Sequence, residues 1–427
     1  MKKLIIRGGK KLDGQINIYG AKNAALPIII SSILTKEEVI FSNVPHVSDI
    51  STLTTLLLDI GVKVKMLTSD VSGYDGRVIS FKANNIKNFV GSYDLVSKMR
   101  ASILILGPLV ARFGYAKVSL PGGCAIGARP VDLHISALEQ MGANITIIDG
   151  YIIAKGKLKG ANICFKKISV GATQNIMMAA TLAKGVTILE NVATEPEITD
   201  LANSLVKMGA KIEGIGTSKI QIIGVKELNS AKHHIMPDRI EAGSYAIMAA
   251  ITNGSIRMKG LTSKIFHKEC LEKLNQAGVK IKDVSADMIE ATRAGKDINS
   301  VNITTGPFPG MATDMQAQFM ALMIIANKTS KIKEEIFENR FMHVSELNRM
   351  GAKISIDGNI ATIDPVKELS GTRVMATDLR ASVSLVIAAL IAEGETVIDR
   401  IYHLERGYER LEDKLVRCGA SISHIIE

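Results

Sequence analysis

One short pattern organises the chain: an apolar residue, glycine, alanine or valine, any residue, then isoleucine or valine. It occurs at Ile60-Gly61-Val62-Lys63-Val64, Met141-Gly142-Ala143-Asn144-Ile145 and Met208-Gly209-Ala210-Lys211-Ile212. It returns at Ala277-Gly278-Val279-Lys280-Ile281, Met350-Gly351-Ala352-Lys353-Ile354 and Cys418-Gly419-Ala420-Ser421-Ile422, the six glycines lying 81, 67, 69, 73 and 68 residues apart. Before each glycine runs an amphipathic stretch: Ile50–Asp59, Val131–Gln140, Ile198–Lys207, Glu269–Gln276, Val344–Arg349 and Glu409–Arg417. Such a stretch predicts a surface helix with one apolar face. The glycine predicts its left-handed last residue, and the alternating residues beyond it predict a half-buried strand.

A second pattern repeats in step. Six runs rich in Ala, Ile and Met open with polar residues, at Gly20-Ala-Lys-Asn, Asp94 to Ser102, Val170-Gly-Ala-Thr-Gln-Asn, Arg239-Ile-Glu-Ala, Asp314-Met-Gln and Asp378-Leu-Arg. Runs apolar on every side predict helices packed all round. Strands such as Val39-Ile-Phe-Ser-Asn-Val and Val186-Thr-Ile-Leu-Glu-Asn-Val follow most of them. The reading is an α/β fold of six units, each with a buried helix, a surface helix and strands. Units of about 70 residues hold a core poorly alone, so they should cluster, most economically three and three with a boundary near His234–Asp238. Two, two and two is the alternative.

Length and composition narrow the function. The 427 residues suggest two or three domains, and 47% hydrophobic content excludes general disorder. The most apolar stretches, Ala24–Leu34 and Ala101–Ala111, are too short to span a bilayer. The start, MKKLIIRGGKKLDGQ, lacks the apolar core of a secretory signal. Four cysteines with no CxxC pair suit a reducing, cytoplasmic setting. The net charge of +10 suits nucleic acid or a small anion; 4% aromatics and no Trp disfavour nucleic acid. No HExxH, P-loop or GxGxxG occurs, so neither metal nor cofactor is expected.

Buried helices aligned within a cluster would gather partly positive N-termini and unpaired amides, a trap for anions. Lys22, Asn23, Arg100, Arg239, Asp314 and Arg380 stand at those starts. A cation there is unfavourable unless an anion lies beside it, so Lys22 and Arg380 point to a ligand. In Leu120-Pro-Gly-Gly-Cys-Ala-Ile-Gly-Ala-Arg-Pro-Val-Asp-Leu-His134, three glycines frame Cys124 without apolar periodicity. That predicts a loop whose backbone approaches a ligand and a thiol available as nucleophile or proton donor. Cys164, Cys270 and Cys418 read instead as small buried hydrophobes.

These segments, with Gly20 to Pro27, Thr313-Asp-Met-Gln-Ala-Gln-Phe319, Phe337-Glu-Asn-Arg-Phe-Met-His343, Met375-Ala-Thr-Asp-Leu-Arg-Ala-Ser382 and Tyr402-His-Leu-Glu-Arg-Gly-Tyr-Glu-Arg410, resemble the enolpyruvyl transferases, specifically the UDP-N-acetylglucosamine 1-carboxyvinyltransferases. The resemblance runs from residue 1 to about 423. It implies two inside-out α/β domains of three units each, 22–237 and 1–21 with 238–427, and an active site in the cleft between them. It also implies transfer of the enolpyruvyl group of phosphoenolpyruvate to the sugar 3′-hydroxyl with release of phosphate, the first committed step of peptidoglycan synthesis. Cys124 would be the proton donor, and also the residue that can form a thioether adduct with phosphoenolpyruvate, acting in acid catalysis or in product release; it would be the target of the epoxide fosfomycin. Asp314 would be the base or orienting group, ionised beside its helix end. Lys22, Asn23, Arg129 and Arg406 would hold phosphoenolpyruvate. Arg100, Arg129, Pro130, Val131, Asp132, Leu133, Lys167, Ile168, Ser169, Val170, Asp314 and Ile336 would line the nucleotide sugar, with Glu338, Asp378 and Arg380 in cleft motifs. After Asn43-Val-Pro this chain has His46-Val-Ser48 where the family often carries a lysine, which puts one cationic contact in doubt.

Overall fold

The structure, a computed structural model, describes residues 2–67, 76–120 and 131–426. Each of the six repeat glycines ends its helix with φ between +90° and +103°. In five of the six, the amide after the glycine reaches back five residues: Val62 to Leu57, Ala143 to Leu138, Ala210 to Leu205, Ala352 to Leu347 and Ala420 to Leu415. This bond satisfies a carbonyl the helix end would leave unpaired, and glycine takes the conformation without a Cβ penalty. The helices so ended are Ser48–Ile60, Asp132–Gln140, Pro196–Lys207, Lys268–Ala277, Val344–Arg349 and Leu411–Arg417.

The second set of helices is mostly buried. In Arg239–Ile251 every residue from Ile240 onward is buried, and Gln316–Met323 and Ala381–Ala389 are buried from end to end. Lys22–Ile30, Leu106–Phe113 and Val170–Ala180 are their counterparts. Among the described residues the strands form six four-stranded sheets of one design, three in each unit. Asn162–Cys164 pairs parallel with Val186–Glu190 across the helix Val170–Ala180; antiparallel Lys219–Ile223 follows, then Lys211–Glu213 at the edge. The result is an inside-out α/β fold, helices central and sheets outermost.

The chain divides into two compact units, one from Tyr19 to Met236, the other Pro237–Glu427 together with the N-terminal stretch through Ile18. Each has three sheets and its own hydrophobic core. In the first, Ala231–His234 returns to lie parallel beside Glu38–Val44. In the second, Lys2–Arg7 sits between Glu395–Asp399 and Ser421–Ile426, and Asp13–Asn17 pairs with Ser255–Lys259. Among the described residues no helix is long and apolar enough to cross a membrane.

The cysteines need one correction. Cys270 and Cys418 are buried, but Cys164 is exposed. It ends a three-residue edge strand in which Ile163 points inward, so alternation turns the thiol to solvent.

At Gly351 (φ +97°) a Cβ would meet no atom within 4 Å. Gly351→Ala therefore isolates the left-handed backbone cost. It should lower stability by about 1–2 kcal/mol in urea denaturation, and an unchanged midpoint would refute the capping role.

Candidate active site

In the unit from Tyr19 to Met236, the described predicted residues stand at the beginnings of helices or just before them. Lys22 opens its helix behind Ala21, which supplies no side-chain cap. Its ammonium lies 3.2 Å from Asp49 Oδ2 in the first turn of Ser48–Ile60, with both side chains buried. The anion required beside this cation is thus supplied by the protein itself, which removes one argument for a ligand from the sequence reading. Asn23 is half-buried and His46 exposed. Arg100, half-buried, begins the turn Arg100–Ile105, which packs against both Lys22–Ile30 and Val170–Ala180.

His134 ties together segments expected to line the nucleotide sugar. Asp132 and Leu133 begin its helix, with Val131 at the cap, and that helix packs on Val170–Ala180. Asn175 accepts the Gly107 amide on Oδ1 at 2.9 Å and donates from Nδ2 to His134 Nδ1, also at 2.9 Å. The neutral ring therefore carries its hydrogen on Nε2. Gly107 is obligatory here, because a Cβ would stand 2.3 Å from Asn175 Oδ1. Burial, then the Arg100 charge, pulls the His134 pKa down to about 4 against the opposing pull of Asp132. Arg100, Val131 to Leu133 and the start of the Val170 helix are thereby brought together. Ser169 caps that helix by accepting the Ala172 amide, and Lys167 and Ile168 before it are exposed.

In the unit containing Pro237–Glu427, Asp314 sits in the turn Thr313–Met315 that leads into the buried helix Gln316–Met323. Its Oδ1 takes a hydrogen bond from Arg340 Nη2 at 2.8 Å, and its Oδ2 one from Arg380 Nε at 3.3 Å. Arg380 is 2% exposed and lies over the Tyr408 ring. Burial disfavours its charge, but Asp314, Tyr408 and Asp238 outweigh burial and hold its pKa above the usual arginine value. Asp378 accepts the Arg380 and Ala381 amides at 2.8 and 2.9 Å, fixing the start of the next buried helix. Gln318 donates to the Asp314 carbonyl, Ser244 and Tyr408. Ile336 and Arg406 are half-buried, and Glu338 is exposed. Sequence reasoning missed Asp49, Asn175 and Arg340 as partners; only Asn175, polar within an apolar helix, carried a signal.

Cys124, Arg129 and Pro130 lie outside the described residues.

The family model for EPSP synthase (3-phosphoshikimate 1-carboxyvinyltransferase) matches residues 6–415. A relative from Paramagnetospirillum magneticum named UDP-N-acetylglucosamine 1-carboxyvinyltransferase is 54% identical, covering 100% of this chain and 99% of its own. One of the same name from Geotalea daltonii is 53% identical over 100% of both. The chain belongs to the UDP-N-acetylglucosamine 1-carboxyvinyltransferase family of enolpyruvyl transferases. Among solved structures, the enolpyruvyl transferase NikO from Streptomyces tendae superposes with TM-score 0.87 at 25% identity, covering 99% of each chain. EPSP synthase from Acinetobacter baumannii, at TM-score 0.76 and 16% identity over 100% of both chains, shares the fold.

The buried histidine sets a pH dependence for this family member. With its native pKa at about 4, His134 takes up its proton in the unfolded chain first as pH falls below about 6.5, so stability declines with acidification. The contribution is about 2 kcal/mol at pH 5. Urea midpoints at pH 7 and 5 should differ less in His134→Gln than in the wild type; equal differences would contradict this.

Proposed function

We propose that the chain transfers the enolpyruvyl group of phosphoenolpyruvate to the 3′-hydroxyl of UDP-N-acetylglucosamine and releases phosphate, in the cytoplasm, as the first committed step of peptidoglycan synthesis. The observation that carries this reading is the Asp314 carboxylate, held by two buried guanidiniums at the start of a buried helix, in a family whose full-length relatives bear that name.

The chemistry is addition followed by elimination. The sugar hydroxyl attacks C2 of phosphoenolpyruvate while the C3 methylene gains a proton from the Cys124 thiol, and Asp314 orients the hydroxyl and accepts its proton. In the elimination a methyl proton returns to the Cys124 thiolate, the C2–O bond to phosphate breaks, the carbon–carbon double bond is restored, and the departing phosphate takes the proton held by Asp314. Each carboxylate oxygen has two lone-pair directions, so a hydroxyl can join a carboxylate already bound by arginines. Because Arg340 and Arg380 each hold one oxygen of the carboxylate, its orientation is set before substrate arrives. Lys22, Asn23, Arg129 and Arg406 neutralise phosphoenolpyruvate, the arginines meeting its carboxylate and phosphate in pairs. Arg100, Arg129 to Leu133, Lys167 to Val170 and Ile336 receive the nucleotide sugar.

Phosphate release from phosphoenolpyruvate should require UDP-N-acetylglucosamine, with shikimate 3-phosphate failing to substitute in a coupled phosphate assay. Equal rates with the two acceptors would overturn the assignment. Fosfomycin should inactivate the chain and leave one covalent adduct on the peptide containing Cys124, read by mass spectrometry. Inactivation without that adduct would remove Cys124 from its assigned role.

A further inference from the structure

We infer that Thr313 and Glu334 form a hydrogen-bond relay that sets the orientation of Asp314 by way of Arg340; the inference rests on the transferase reading. Glu334 is 3% exposed. Its Oε1 accepts from Thr305 Oγ1 at 2.8 Å and from the amides of Ile336 and Phe337 at 2.8 and 3.2 Å. Its Oε2 accepts from Thr313 Oγ1 at 2.8 Å. Thr313 Oγ1 in turn accepts from Arg340 Nη1 at 3.0 Å, while Nη2 of the same guanidinium reaches Asp314 Oδ1 at 2.8 Å.

The polarity of this chain is fixed by the donor inventory. An arginine only donates and a carboxylate only accepts, so the Thr313 hydroxyl must give its single hydrogen to Glu334 and turn a lone pair to Arg340. The guanidinium is then gripped at two nitrogens by adjacent residues, Thr313 and Asp314, and loses its freedom to swing about its own axis. The same carboxylate pins the backbone of Ile336, so the hydroxyl-orienting group and a predicted nucleotide-sugar contact share one anchor. Removing the hydroxyl would leave Asp314 in place but its Arg340 partner held at one nitrogen. Thr313 and Glu334 are therefore positioning residues.

Thr313→Val keeps shape and deletes the hydroxyl; Thr313→Ser keeps the hydroxyl. With UDP-N-acetylglucosamine as acceptor, T313V should lose about tenfold or more in kcat. Its KM for phosphoenolpyruvate should stay within about twofold, and T313S should recover kcat to within about threefold of wild type. A T313V enzyme with wild-type kcat, or a T313S enzyme as slow as T313V, overturns the relay. Should T313V not fold, Glu334→Gln, which places an amide donor against Thr313, is expected to show the same kcat loss, and unaltered kcat overturns the relay equally. A wild-type chain inert toward UDP-N-acetylglucosamine overturns the transferase reading and the relay with it, whereas wild-type turnover that survives T313V overturns the relay alone.

Discussion

A guanidinium removed from water needs a carboxylate, and Arg380 finds one in Asp314 where two buried helices of one unit begin. Stripping the solvent from a charge costs several kcal/mol, repaid only by good geometry and further hydrogen bonds. The surroundings of Arg380 follow from this demand: Asp378 fixes its backbone, Tyr408 lies beneath it, and Arg340 holds the other oxygen of its partner. Lys22 and Asp49 repeat the logic in the other unit, a buried cation against a buried carboxylate at two helix beginnings. Charges so constrained have little freedom to reorganise, which is the condition for preorganised electrostatics in catalysis.

The inside-out architecture makes such placement achievable. A helix that touches protein on every side has its first turn located by all its neighbours, so a residue there is positioned more tightly than on a loop. The small residues that permit this packing also make it unforgiving. Gly107 is set against Asn175, which in turn fixes the His134 ring.

Much of this could be read from residue order. The six glycines foretold the six helix ends because the left-handed conformation is a local, nearly glycine-specific demand. The all-round apolar runs foretold burial because periodicity is also local. What escaped was pairing across distance. Nothing in the neighbourhood of Lys22 announces Asp49, 27 residues on, nor does Asp314 announce Arg340, 26 residues on. At both Lys22 and Arg380 a carboxylate of the chain itself, Asp49 or Asp314, stands beside the cation, so the charge at a helix start is not by itself a sign of an external anion. Cys164 was misjudged because its strand is too short for alternation to show. The candidate site was legible as residue types in family motifs, while its internal wiring was not.

The N-terminal strand Lys2–Arg7, threaded between Glu395–Asp399 and Ser421–Ile426, gives the two units different histories on the ribosome. The unit ending at Met236 has all its strands once that residue has emerged. The other must keep Lys2–Arg7 unpaired until Glu395–Asp399 has been made, a wait on the order of tens of seconds at ordinary elongation rates. Nascent chains would thus carry an open edge throughout synthesis, and translation speed or a holding chaperone becomes part of how this fold is reached.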